Sequence, residues 1–208
     1  MGTHANPETC RRSTTGGEDS GRTVNIVLVG PSASGKSTLA EALTRLGVKR
    51  IRSYTTRPRR PGEEGSCDYE FVSDSEFEHI SEKHGMSVVR EYKVATGDVW
   101  KYGISMGSFN NPEDKATVCI LDPEGYEELK TLVPKVFGVL LDIPKDVRME
   151  RAMARGDDMA ETRRRFHADD EAFSTIMADA DGSCAMVLHG GPADEEAAAI
   201  MRKTGLSL

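Results

Sequence analysis

A chain of 208 residues with a formal charge of −7 has room for one α/β domain with a substantial core, and it carries no global basic field to draw in nucleic acid or an acidic membrane surface. Its four cysteines (Cys10, Cys67, Cys119, Cys184) make no C-x-x-C pair and no metal-ligand spacing, which points to a reducing, cytoplasmic setting without a disulfide framework. No apolar run approaches the ~18 residues of a membrane span, and residues 1–23, rich in Gly, Ser, Thr and charge, lack the apolar segment of a secretory signal and are expected to be a flexible tail.

The apolar run Val24 to Val29 predicts a buried strand, and Thr38 to Leu46, apolar at helical spacing and stopped by Gly47, predicts a helix. Between them stands Gly30-Pro31-Ser32-Ala33-Ser34-Gly35-Lys36-Ser37, a Gly-x-x-x-x-Gly-Lys-Ser loop in the strand–loop–helix context that such loops require. Its backbone N–H groups and the N-terminal end of the following helix suit phosphate oxygens. Ser32, Ala33, Ser34, Gly35, Lys36, Ser37 and Thr38 are therefore the candidate set for binding a nucleoside triphosphate. Lys36 would reach the outer phosphates and the Ser37 hydroxyl would hold Mg²⁺.

Val48 to Tyr54 is expected to be a short strand. Thr55-Thr56-Arg57-Pro58-Arg59-Arg60-Pro61-Gly62 follows, a Pro/Gly-braced loop whose arginines offer rigid forks for phosphate or, alternatively, a solvated basic surface. Asp68 to Ser73 alternates like a strand, Asp74 to His84 is a helix behind a Ser/Asp cap, and Val88 to Val94 and Val99 to Ile104 are strands separated by the turn at Thr96-Gly97-Asp98. Residues 53–105 thus form a strand-rich insertion. Thr117 to Leu121 is a buried strand ending at Asp122, which is a candidate Mg²⁺ carboxylate, a helix cap, or both. Val136 to Ile143 is another strand, Pro144 to Arg155 a helix, Met159 to Ala178 an Arg-rich helix carrying Arg163, Arg164 and Arg165, Cys184 to Leu188 a last strand and Asp194 to Lys203 a closing helix. This alternation predicts an α/β fold of three layers around a central parallel sheet.

The ordered set Gly-Pro-Ser-Ala-Ser-Gly-Lys-Ser-Thr, Ser-Tyr-Thr-Thr-Arg-Pro-Arg-Arg-Pro-Gly-Glu, Asp-Tyr-Glu-Phe-Val-Ser, Tyr102-Gly103, Ile120-Leu121-Asp122 and an Arg-Gly before the Arg-rich helix resembles the guanylate kinases over about residues 24–205. The resemblance implies transfer of the γ-phosphoryl of ATP to GMP with Mg²⁺, in a protein that is a monomer or homodimer. It implies a monophosphate-binding lobe at about 53–105 and a mobile lid at about 153–165. Ser53 and Glu91 would read guanine, with Glu124 beside them. Arg57, Arg60, Tyr69 and Tyr102 would hold the GMP phosphate, and Lys36, Arg57, Arg155 and Arg164 (or 163 or 165) would neutralise the transferring group. Ser37 and Asp122 would serve the metal.

The chain departs from the family pattern mainly at base recognition. Ile104 stands where many members carry Ser or Thr, Glu124 where a second Asp is usual, and the stretch between Glu91 and Tyr102 is longer, with Trp100 inside it. His189 replaces the usual Asn after the last strand. Two other readings share the scaffold. One is a kinase of another monophosphate or of a ribose bisphosphate type acceptor, between which Tyr69 with Arg57 and Arg60 favours a nucleotide monophosphate. The other is an inactive interaction module, which the intact Gly35, Lys36 and Ser37 disfavour.

Overall fold

A computed structural model of the chain describes residues 23–207 except 60–62, 66, 94–96, 110 and 112. The expected tail therefore lies, but for Thr23, outside the described residues, as do Arg60 and the Val94 end of its predicted strand. In chain order the elements are β1 Val24–Val29, α1 Lys36–Arg45, β2 Lys49–Arg50, β3 Ser53–Thr55, β4 Tyr69–Phe71, α2 Asp74–His84, β5 Met86–Lys93 and β6 Val99–Ser105. They continue with β7 Ala116–Leu121, α3 Pro123–Leu132, β8 Val136–Leu141, α4 Lys145–Ala154, α5 Met159–Ala172, α6 Ser174–Ala178, α7 Ala180–Ser183, β9 Met186–Leu188 and α8 Ala193–Thr204.

Five parallel strands in the order β2-β7-β1-β8-β9 form the central sheet. Side chains alternate across a strand, so β1 feeds two cores. Ile26 and Leu28 pack with Leu39 and Leu43 of α1 and Ile200 and Met201 of α8. Val27 and Val29 pack with Tyr126 and Leu129 of α3 on the other face. Strands covered on both faces are continuously apolar, which is why β1, β7 and β8 stand out in the sequence. Among the described residues no helix is long and apolar enough to cross a membrane.

A second sheet, in the order β4-β3-β6-β5, is built from residues between 53 and 105. Here β3 runs parallel to β4, and β6 runs antiparallel to both β3 and β5. Helix α2 covers its outer face. It starts at a capping box in which Ser73 and Glu76 exchange hydrogen bonds, and its Phe77 packs where a Cβ on Gly103 would lie 2.5 Å from the Met86 side chain.

Two predicted elements are corrected. The single strand expected from Val48 to Tyr54 is two strands in different sheets. Arg50 pairs with Val118 of β7 and the Ile51 N–H still donates to Val118, but the Ser53 N–H donates to Asp68 in the second sheet. The helix expected from Met159 to Ala178 breaks at Phe173, whose ring is buried with Ile176 in the core.

Candidate active site

The phosphate loop follows β1 at the C-terminal edge of the central sheet, where ligands of open α/β sheets gather. A Cβ at Gly30 would lie within about 3.0 Å of Ser34 Oγ and of Leu141, so the loop passes too close to β8 for any side chain there. Gly35 opens α1 with φ of 104°, the left-handed region glycine enters freely. From α4, Arg148 donates to Ser32 O at 3.3 Å and Arg151 to Ser34 O at 2.9 Å, so two guanidinium groups brace the loop from behind. The Ser34 hydroxyl is buried with no hydrogen-bond partner among the described residues.

Lys36 folds over this loop, donating from Nζ to Gly30 O at 2.7 Å and Pro31 O at 2.8 Å. Burial lowers its ammonium pKa to about 8, Asp169 opposes that shift, and Arg148 and Arg155 add to it. The Ser32 N–H donates to Asp169 Oδ2 at 2.7 Å. A carboxylate of α5 thus sits on a loop amide of the kind that takes phosphate oxygens. Replacing Asp169 with alanine is expected to tighten binding of a non-hydrolysable ATP analogue about tenfold at pH 7, the scale of one charge-assisted hydrogen bond. Calorimetric titration checks this; weaker binding by the variant would show that the carboxylate instead holds the loop in shape.

Two cavities flank the loop. One, of about 410 Å³, is lined by Ala33, Ser34, Gly35 and Thr38 together with Arg151, Arg155 and Gly190. The other, of about 370 Å³, lies between Gly30, Ser32 and Lys36, the inner face of the second sheet, and α5. Both are in the range of small-molecule sites. The loop residues named from the sequence are therefore together, and Ser32 and Lys36 face one cavity while Ala33, Ser34, Gly35 and Thr38 face the other.

On the sheet wall of the first cavity, alternation brings Ser53, Tyr69, Tyr102, Arg90, Tyr92 and Trp100 to one face. The rings form a row: Tyr69 meets Tyr102 at 5.9 Å between centroids, and Tyr102 meets Tyr92 edge-on at 5.4 Å. Arg57 is only 3% exposed. Its two Nη atoms donate to the Glu63 carboxylate at 2.9 and 3.0 Å, and its guanidinium lies over the Tyr69 and Phe71 rings. From α5, Arg164 and Arg165 both line this cavity. Arg164 is paired with Glu161 at 2.8 Å, while Arg165 reaches Asp157 at 3.3 Å and leaves its buried Nε without a hydrogen bond. Arg155 lines the other cavity and pairs with Asp157 at 2.8 Å.

Three expected placements differ. Glu91 is exposed and lies on the outer face of its sheet, opposite Lys101, which is bound to Glu78 of α2. Glu124 is turned outward with its side chain 84% exposed and is paired with Arg90 at 3.3 Å. For Glu91 the cause lies in β5, where the register shifts between Ser87 and Arg90 and Val88 takes φ of 54°. A bulge of this kind changes which residues face inward, so Arg90 and Tyr92 look into the cavity in place of Glu91.

The third difference concerns Ser37, while Asp122 takes the cap position expected of it. The Ser37 hydroxyl donates to Asp68 Oδ2 at 2.6 Å, and Asp68 also pairs with Arg50. Asp122 lines the first cavity, takes the Gly125 N–H on Oδ1 at 2.6 Å as the cap of α3, and accepts from the Tyr92 hydroxyl on Oδ2 at 2.9 Å. Burial beside this carboxylate drives the Tyr92 phenol far above its ordinary pKa, so it stays a donor. Asp68, Arg90, Tyr92 and Asp169 went unnamed as site residues in the sequence. Only Tyr92 had a signal there, as an aromatic two residues from Arg90 on a predicted strand.

Comparison with known proteins places this chain in a family. A family model described as guanylate kinase matches residues 22–180. The guanylate kinase of Vibrio parahaemolyticus is 30% identical over 148 residues, which is 68% of this chain and 69% of that protein. Those of Mannheimia succiniciproducens and Helicobacter pylori are each 32% identical over 142 residues, covering 65% and 66% of this chain and 66% of each relative. The crystal structure of guanylate kinase from Anaplasma phagocytophilum superposes with a TM-score of 0.61 at 22% identity over 89% of this chain and 86% of that one, a likeness of fold.

Proposed function

The chain belongs to the guanylate kinase family as an ATP-dependent nucleoside monophosphate kinase, and we propose that GMP is its acceptor, with ADP and GDP as products, in the cytoplasm. The observation that carries this reading is the pair of cavities on either side of the phosphate loop, one of them walled by Lys36. Phosphoryl transfer asks a protein for positioning and charge neutralisation rather than for a covalent nucleophile.

In this reading ATP lies along the loop with its outer phosphates at Lys36 and its nucleoside toward Thr38, Arg151 and Gly190. GMP fills the other cavity, its phosphate held by Arg57, Tyr69 and Tyr102 and its base toward the Tyr92 and Trp100 end of the sheet. Arg155 from one side and Arg164 and Arg165 from the other would draw in over the transferring group as the segment at 153–165 closes, which excludes water as a competing acceptor.

Magnesium suits the residues present. The Ser37 hydroxyl and the Asp68 carboxylate it touches are hard oxygens beside the loop. When bound with ATP, Mg²⁺ neutralises charge on the β- and γ-phosphates.

An assay coupling ADP release to NADH oxidation, run with ATP and Mg²⁺, tests the assignment. GMP is expected to exceed AMP, CMP and UMP by about 10³ or more in kcat/KM, because a site that hydrogen-bonds one base leaves its polar groups unpaired with another. Absence of turnover with GMP overturns it.

A further inference from the structure

We propose that the acceptor base is read by the Tyr92–Asp122 pair, and that the enzyme therefore takes 6-oxopurine monophosphates as a class, phosphorylating IMP as well as GMP. The inference rests on the reading above. Tyr69 and Arg57 lie toward one edge of the second sheet and Tyr92 is on the strand at the other edge, with the Tyr102 ring between the two at 5.9 Å from Tyr69 and 5.4 Å from Tyr92. A nucleotide whose phosphate is held at the first edge brings its base to the second.

The chemistry available there is limited. Among the described residues, the carboxylates on the wall of this cavity are Asp122 and Asp169. Asp169 is engaged at the phosphate loop. Glu91, the residue that would accept from both N1–H and the 2-amino group of guanine, faces Lys101 on the outer side of the sheet. At that end the Tyr92 hydroxyl and one oxygen of Asp122 stand 2.9 Å apart, with the second oxygen of Asp122 pinned by the Gly125 N–H, while the Arg90 guanidinium beside them is held by Glu124 and Glu128.

A 6-oxopurine presents the complementary edge, with O6 as acceptor beside N1–H as donor. On binding, the Tyr92 hydroxyl turns its hydrogen from Asp122 to O6, and the freed Oδ2 accepts from N1–H. No bond to the 2-amino group enters this exchange, so hypoxanthine satisfies it as guanine does. Adenine does not, because its N1 lone pair would face the carboxylate and leave it unpaired.

The test is the purified full-length protein with ATP and Mg²⁺ and three acceptors, GMP, IMP and AMP. The expected kcat/KM for IMP lies within about tenfold of GMP, and that for AMP about 10³ or more below both. Asp122→Asn keeps the helix cap but presents an amide N–H₂ to the base. It is expected to raise KM for GMP and IMP together by about a hundredfold while narrowing the gap to AMP, a change of preference that loss of structure alone does not produce. Affinity for a non-hydrolysable ATP analogue reports on folding of the variant. Turnover of GMP with IMP below a thousandth of it overturns the inference alone, as does a Glu91→Gln variant that loses its preference for GMP over AMP. Turnover of neither GMP nor IMP overturns the acceptor assignment on which the inference stands.

Discussion

Replacing Lys36 with alanine is expected to lower kcat by about three orders of magnitude, the scale measured when a preorganised group facing the developing charge is removed. In the free protein its ammonium group caps the Gly30 and Pro31 carbonyls on the wall of the acceptor cavity. A triphosphate replaces those carbonyls with charged oxygens. The same lysine sets a pH dependence. Its pKa is about 8 in the folded chain against 10.5 in the unfolded one. Below pH 8 both states are protonated and the folded chain bears the cost of a buried ammonium. Between pH 8 and 10.5 only the unfolded chain holds the proton, so this group's contribution to stability improves as pH rises through that window.

Nucleotide binding runs the other way. A bound triphosphate favours the charged form, so binding above pH 8 takes up a proton and affinity falls by up to about tenfold per pH unit. Calorimetry of ATP-analogue binding at pH 9 in two buffers of different ionisation enthalpy measures that uptake. Lys36→Ala should abolish it. Uptake that persists in the variant would assign the proton to another group.

The second large effect is expected at Arg57. Its side chain is buried, forked onto Glu63 and stacked over Tyr69 and Phe71. Arg57→Ala removes a phosphate clamp and is expected to cost about 10³ in kcat/KM for GMP, mostly through KM, while leaving ATP-analogue affinity within a few-fold. The same change leaves the Glu63 carboxylate without this partner and empties the space between two rings, at a cost of about 2 kcal/mol in unfolding free energy, less than for a fully dry pair because Glu63 reaches water. Arg57→Lys keeps the charge but not the planar fork and should recover only part of either loss. Denaturant titration beside acceptor kinetics separates the two effects. An unchanged KM for GMP would move the acceptor phosphate away from this wall.

The phosphate loop could be placed from sequence because its chemistry is local. Gly30, Gly35, Lys36 and Ser37 act within a strand, a turn and the first turn of a helix, and spacing alone brings them together. The continuous apolar runs of β1, β7 and β8 announced a parallel sheet covered on both faces for a similarly local reason. The base end of the acceptor cavity could not be placed this way. Whether Glu91 or Arg90 and Tyr92 face inward depends on the phase of β5, which is set by the irregularity at Ser87 to Arg90 and by how the hairpin closes on β6. The partners of the loop were hidden as well. Ser37 meets Asp68 and Ser32 meets Asp169 across 31 and 137 residues of sequence, separations that no local pattern spans. The cap on α3 shows both sides: Asp122 before Pro123 predicted it, while the Tyr92 hydroxyl on its other oxygen came only with the fold.

Trp100 stands opposite Tyr92 on β6 and on the wall of the acceptor cavity, and the chain contains no other tryptophan. The protein therefore carries its own optical gauge of that site. Excitation near the red edge of protein absorbance selects a single indole, and a purine arriving against it changes the emission without any label. Filling of the acceptor cavity can thus be followed in stopped-flow, apart from filling of the ATP cavity and in the absence of turnover, so that the order in which the two nucleotides enter becomes a direct observation.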